Sequence, residues 1–236
     1  MDYKLRTFQI THEATFLAPQ FGILGIGATT KLLDELYTHI NPRFPINMKD
    51  MQVHACTKLD DVRVRLELFS GNGVIEISAS KFGAIFKNAV SGQDLNIIKD
   101  CIQSSLTALF TTVPAARFKE DTIHANLILD LQGKQNNASG FLRGVIANQY
   151  NVNASQVGAT VSHYGVHVEF ENAEQKWLLT VDVQRSWGEQ QALFIASHAY
   201  FYETSAVPIF EDKINLLYNA ITHVNENIGL TPSKTA

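Results

Sequence analysis

Apolar and polar residues alternate strictly along Val62-Arg63-Val64-Arg65-Leu66-Glu67-Leu68, which predicts a strand with one apolar and one charged side. Ser70-Gly71-Asn72-Gly73 supplies a hairpin turn, and 74–80 returns as the partner strand, with a short edge strand at 82–86. Upstream, 3–17 is rich in β-branched and aromatic residues and reads as a strand broken by Pro19 and Gly22. Leu32, Leu33, Leu36, Tyr37 and Ile40 recur at helical spacing, so a helix covers 29–41 and ends at Asn41-Pro42. A further strand is expected at 51–58. Ser91-Gly92-Gln93-Asp94 has the form of a capping box. The helix after it carries Leu95, Ile98, Ile102, Leu106 and Leu109 and stops before Pro114.

The same order then recurs. Ile123, Ala125, Leu127, Leu129 and Leu131 share one face of a strand at 121–132. Ser139 can cap a helix that carries Phe141, Leu142, Val145, Ile146 and Tyr150. Strands are expected at 156–162, 165–171, 175–185 and 190–202. A last helix begins with Pro208 in its first turn, bears the stripe Phe210, Ile214, Leu217, Ile221, Val224 and Ile228, and meets a natural cap at Gly229. Side by side, Val64–Phe69 matches Val166–Glu171, and Val74–Ile77 matches Leu178–Val181. The offset drifts from 109 (Leu32 to Phe141) to 102 (Val64 to Val166), as insertions and deletions in loops produce. The pattern rather than residue identity carries the repeat.

The expected fold is therefore α+β: an internally duplicated β-α-β(3–4)-α unit with an antiparallel sheet and helices on one face. The first repeat is 1–118, the second 119–230, and 231–236 is a mobile tail. This element order resembles the duplicated saddle of the TATA-box-binding protein family, in order only and without a shared motif. The segment Trp177–Asp182 followed by a long helix also resembles a sporadically distributed bacterial family, from which nothing about function follows.

Composition narrows the function classes. Of 236 residues 45% are hydrophobic, enough for a real core. The net charge of −4 argues against a molecule that is basic all over. The charge is split, however: 1–118 carries 12 Lys/Arg against 11 Asp/Glu, and 119–236 carries 7 against 12. Two cysteines, Cys56 and Cys101, make no disulfide framework or metal motif. The first residues have no apolar run of signal-peptide type and no stretch is long enough to span a membrane, so a cytoplasmic protein is expected.

Chemistry-bearing motifs are few. Gly22–Lys31 lacks the Gly-Lys-Ser/Thr ending of a phosphate loop, and Thr30 stands where a dinucleotide loop needs its third glycine. It reads as a hinge entering a helix. His163 and His167 are four apart, but Tyr164-Gly165 between them reads as a turn, so no helical metal pair forms. Asp182 with His198, or His124 with Asp130, could form an acid–base pair across or along strands, against the plainer reading of a solvated sheet face. Cys101 reads as a buried, inert thiol.

No catalytic residue, metal or cofactor is assigned, and the reading leans away from an enzyme. The expected function is a binding or scaffold protein that meets a protein partner, or itself, through an open sheet face or edge. The interaction residues are Arg63, Arg65, Glu169 and Glu171, with Trp187 in the turn Ser186-Trp187-Gly188. Two alternatives are nucleic-acid binding by Lys4, Arg6, Lys58, Arg63, Arg65 and Lys81, and a small-ligand site or enzyme pocket between sheet and helices. The nucleic-acid reading is not favoured, because cations do not run along the whole face.

Overall fold

A computed structural model describes residues 1–54, 62–133, 137–147, 163–202 and 209–233. The first half runs β1 (Asp2–Phe16), α1 (Ile26–Ile40), β2 (Met51–His54), β3 (Arg63–Leu68), β4 (Gly73–Ser78), β5 (Lys81–Ala89) and α2 (Gly92–Thr112). The second runs β6 (Phe118–Leu131), α3 (Ala138–Ala147), β7 (Gly165–Asn172), β8 (Trp177–Arg185), β9 (Ala192–Tyr202) and α4 (Phe210–Asn227), followed by β10 (Thr231–Pro232). These strands make one sheet in the order β2-β3-β4-β5-β1-β6-β9-β8-β7, with every neighbour antiparallel.

That order repeats on either side of the β1–β6 seam. Moving outward from β1 come β5, β4 and β3; moving outward from β6 come β9, β8 and β7. In chain order each half is strand, helix, strands, helix. The place equivalent to β2 falls within 148–162, outside the described residues, as does the strand expected at 156–162. The outer part of the strand expected at 51–58 and the Pro208 start of the last helix also lie outside them.

Period-two alternation decides which side of the sheet the helices cover. Phe8, Ile10, Ala14 and Phe16 of β1 and Ile123, Ala125, Leu129 and Leu131 of β6 are buried, as are Val64, Leu66 and Leu68 and, across the sheet, Leu179, Val181 and Val183. All join one core with Leu32 and Leu36 of α1, Ile98 and Ile102 of α2, Leu142 of α3 and Ile214, Leu217 and Ile221 of α4. The helices thus cover one face, and the alternate residues form an open face. Between α2 and α4 the packing leaves an apolar cleft of about 120 Å³, lined by Leu95, Leu127, Leu217 and Tyr218 among others.

The expected helix boundaries hold with small shifts: α1 begins at Ile26, inside the glycine-rich run, rather than at 29. Ser91 Oγ accepts from the Asp94 N–H at 3.2 Å, and Asp94 Oδ2 accepts from the Ser91 N–H at 3.0 Å, so the capping box forms. Gly229, at φ +82°, ends α4 in the left-handed conformation that glycine adopts without strain. Three details differ from the sequence reading. Ser139 lies inside α3, and Asn137 caps that helix instead, its Oδ1 accepting from the Gly140 N–H at 3.1 Å. The segment 82–86 is not an edge strand: β5 continues to Ala89 and lies inside the sheet between β4 and β1. Residues 231–233, assigned to a tail, run beside the start of β1: Thr231 and Pro232 pair in parallel with Asp2 and Tyr3, and Ser233 N–H donates to Tyr3 O at 2.7 Å. No described helix is long and apolar enough to cross a membrane.

Candidate interaction surface

The open face is a lattice of cross-strand rows set by the register. One row runs Glu171, Leu178, Tyr200, Thr122, Glu13, Gly83, Glu76, Arg65 and Gln52 from one end of the sheet to the other. The neighbouring row runs Glu169, Thr180, His198, His124, Thr11, Ile85, Val74 and Glu67. The β3 side is therefore mixed and partly basic, the centre is polar with Glu13 and Glu120 as acids, and the β7 side is acidic.

Arg63 and Arg65 and Glu169 and Glu171 all lie on this face, on strands near opposite ends, as expected from the repeat. The arginines are already engaged within their own half. Arg65 donates to Glu76 at 2.6 Å and to Glu67 at 3.1 Å, and Arg63 Nη1 stands 3.5 Å from Glu76. Glu169 and Glu171 are exposed and make no ion pair among the described residues. Trp187 is 91% exposed in the turn between β8 and β9, at the rim of the sheet.

Two shallow clefts mark this face. The first, about 360 Å³, is lined by Arg63, Arg65, Lys81, Lys87, Glu13 and Glu76 above a floor that includes Val74, Gly83 and Ile85. The second, about 500 Å³ and wider open, is lined by Glu120, Glu169, Glu171, Lys119 and the stacked rings of Tyr200 and Tyr202. The Tyr200 hydroxyl donates to Glu120 at 2.7 Å.

The acid–base pairs expected from sequence are rearranged by register. Asp182 does not meet His198: it lies opposite Ala196 and His167, and its carboxylate is 2.6 Å from His167 Nδ1. That hydrogen bond and the Asp182 charge raise the pKa of the His167 imidazole. His124 does not meet Asp130, which binds Arg6. Instead His124 stacks on His198 across β6 and β9, ring centroids 4.2 Å apart, and burial together with His124 lowers the His198 pKa. Burial pushes the Cys101 thiol up to about 12, so it stays protonated and inert, as read from sequence.

The helix-covered side holds a cluster that sequence reading missed. His12 (1% exposed), Asp121 (4%) and Lys213 (8%) meet beneath the β1–β6 seam. Lys213 Nζ donates to Asp121 Oδ2 at 2.5 Å and sits 4.9 Å from the centre of the Phe201 ring, and His12 Nε2 is 3.8 Å from Asp121. Phe210 and Phe82 pack on the His12 ring, at 4.8 and 5.5 Å. Burial alone would raise the Asp121 carboxyl; the nearby His12 and the charge and hydrogen bond of Lys213 outweigh it and hold the group below its ordinary range. Both His12 ring nitrogens and Asp121 Oδ1 are buried without a hydrogen-bond partner among the described residues.

The nucleic-acid reading loses most of its cations. Arg6 is bound by Asp130 and Glu189, Arg63 and Arg65 by glutamates, and Lys58 lies outside the described residues. On the helix side the 120 Å³ cleft is below the roughly 300–1,000 Å³ of ordinary ligand sites, and a second cleft of about 290 Å³ lies between β5 and α2, lined by Phe86, Ala89, Asp94, Ile97 and Ile98. Among the described residues no three His, Cys, Asp or Glu side chains are grouped to hold a metal ion.

No family model and no curated protein sequence matches the chain. Among solved structures it is similar to one described as Methanococcus jannaschii TBP, with 10% identity over 96% of this chain and 99% of that one. The TM-score is 0.30, too low to bear on function.

Proposed function

We propose that this is a non-enzymatic binding or scaffold protein, built by duplication of one α+β unit, that engages a protein partner or a second copy through the open sheet face. The observation that carries the reading is the face itself. Among the described residues a whole side of a nine-strand path is left without a helix, and its two ends differ in charge. Complementary charge of this kind sets register and association rate more than affinity. The free acids Glu169 and Glu171 and the exposed Trp187 are the contact residues, with Arg63 and Arg65 acting from within their glutamate network. A second copy turned about an axis parallel to the strands would set each partly basic end over an acidic end twice, as a closed dimer requires.

Light scattering over a concentration series tests the self-association version. Assembly that weakens with salt, and that Glu169→Arg with Glu171→Arg abolishes, supports it. A strict monomer at the highest soluble concentration removes it and leaves the partner version alone.

A further inference from the structure

We infer that the 360 Å³ cleft over β3, β4, β5 and β1 is a binding site for a small organic anion, one with a carboxylate or phosphate group on a flat or aliphatic body. The cleft shares Arg63 and Arg65 with the face proposed to meet a partner, but its ligand needs no partner to bind. Three features of the cleft converge on it.

The first is charge. Arg63, Arg65, Lys81 and Lys87 line it with Glu13 and Glu76; the arginines are paired with Glu67 and Glu76, so the two lysines are the cations left to meet an anion. Glu67 and Glu76 hold Arg65 in place, so its position is fixed before a ligand arrives. The ammonium groups of Lys81 and Lys87 have no hydrogen-bond or ion-pair partner among the described residues. They extend from the two ends of β5 on the open side and can lean over the cleft from either end.

The second is shape. Gly83 lies between Glu76 and Glu13 in its row and contributes no side chain, which hollows the face there. A Cβ at Gly83 would meet only the Glu76 carbonyl oxygen, at 3.9 Å. The hollow is therefore not needed for packing. Its volume falls within the range of ordinary small-ligand sites.

The third is the floor. Val74 and Ile85 are directly paired across β4 and β5 and are half-buried, so they offer an apolar patch beneath the charges. A bare anion would use only the lysines, whereas an organic anion also covers this patch. A nucleic-acid strand fits worse. Glu13 and Glu76, between Lys81 and Lys87, would face its phosphates.

The experiment is an NMR titration of the intact chain, following the amides of Gly83, Ile85 and Lys87, with phenyl phosphate, benzoate and inorganic phosphate as separate probes. Saturable shifts confined to these strands are expected with phenyl phosphate or benzoate, several-fold tighter than with inorganic phosphate. Whichever of the two binds more tightly assigns the acidic group. Lys81→Ala with Lys87→Ala should weaken binding at least tenfold. Gly83→Leu should abolish it while leaving the melting temperature unchanged or higher, because the strand tolerates a side chain there. Absence of saturable shifts at 10 mM of every probe overturns the assignment, as does Gly83→Leu binding as well as the parent. A duplex oligonucleotide that shifts the same amides more tightly than phenyl phosphate overturns it in favour of nucleic acid.

Discussion

At the scale of single residues the most consequential are His12, Asp121 and Lys213, because ionisable groups this deeply buried are costly unless paired. Asp121→Asn leaves the Lys213 ammonium uncompensated and should destabilise the fold by about 3–5 kcal/mol. Asp121→Leu combined with Lys213→Met removes both charges and should recover most of that loss, by the same argument. Chemical denaturation of the three proteins checks this; a double variant as unstable as Asp121→Asn would mean that the pair is not the energetic unit. Because the Asp121 pKa is lowered on folding, its contribution is present above the ordinary value of 3.8 and disappears as pH falls through the folded value. The open-face histidines behave oppositely to one another. His167 has a raised pKa, so its stabilisation is full below 6.5 and fades as pH rises through the folded value. His198 has a lowered pKa, so folding favours its neutral form and stability falls as pH drops below 6.5 toward the folded value. An NMR pH titration should find His167 titrating above the ordinary range and His198 below it; the reverse order would contradict the pairings with Asp182 and His124.

At the scale of elements, α4 shows what the sequence could and could not reveal. Its stripe of Phe210, Ile214, Leu217, Ile221 and Val224 is legible from spacing alone, and all five are buried. Lys213 lies three residues after Phe210, on the edge of that stripe, and Asp121 lies two before Ile123, on the apolar face of β6. Each is a charge where periodicity demands an apolar residue. That coincidence was the available signal, but only the three-dimensional fold brings two positions 92 residues apart together. The pairing of Asp182 with His167 was hidden for a related reason: a strand's face is readable from alternation, whereas its register depends on turns and bulges. The length of β5 was hidden because Asn88, at φ +58°, resembles a break in a strand. Leu217 is 1% exposed and lines the cleft between α2 and α4, so Leu217→Ala enlarges an existing gap. It should cost about 2–5 kcal/mol in denaturant unfolding, and a loss below about 1 kcal/mol would mean that α4 does not pack as described.

At the scale of the whole molecule, the repeated strand–helix order was legible because each half carries its own hydrophobic pattern. The working surface was legible only in part. Alternation placed Arg63, Arg65, Glu169 and Glu171 on the open face, but the glutamates that engage the arginines come from β4 and from β3 itself. The clefts arise from rows that cross several strands, and no single segment encodes them. The proposed function requires that this open face, and not the helix layer, meets the partner. Site-specific photo-crosslinking tests it most directly, with benzoylphenylalanine placed at Thr122 in the middle of the open face or at Gln103 on the exposed side of α2. Crosslinking of either a second copy or a distinct protein from Thr122, with none from Gln103, is the predicted result. Equal crosslinking from both positions, or crosslinking from Gln103 alone, would contradict it.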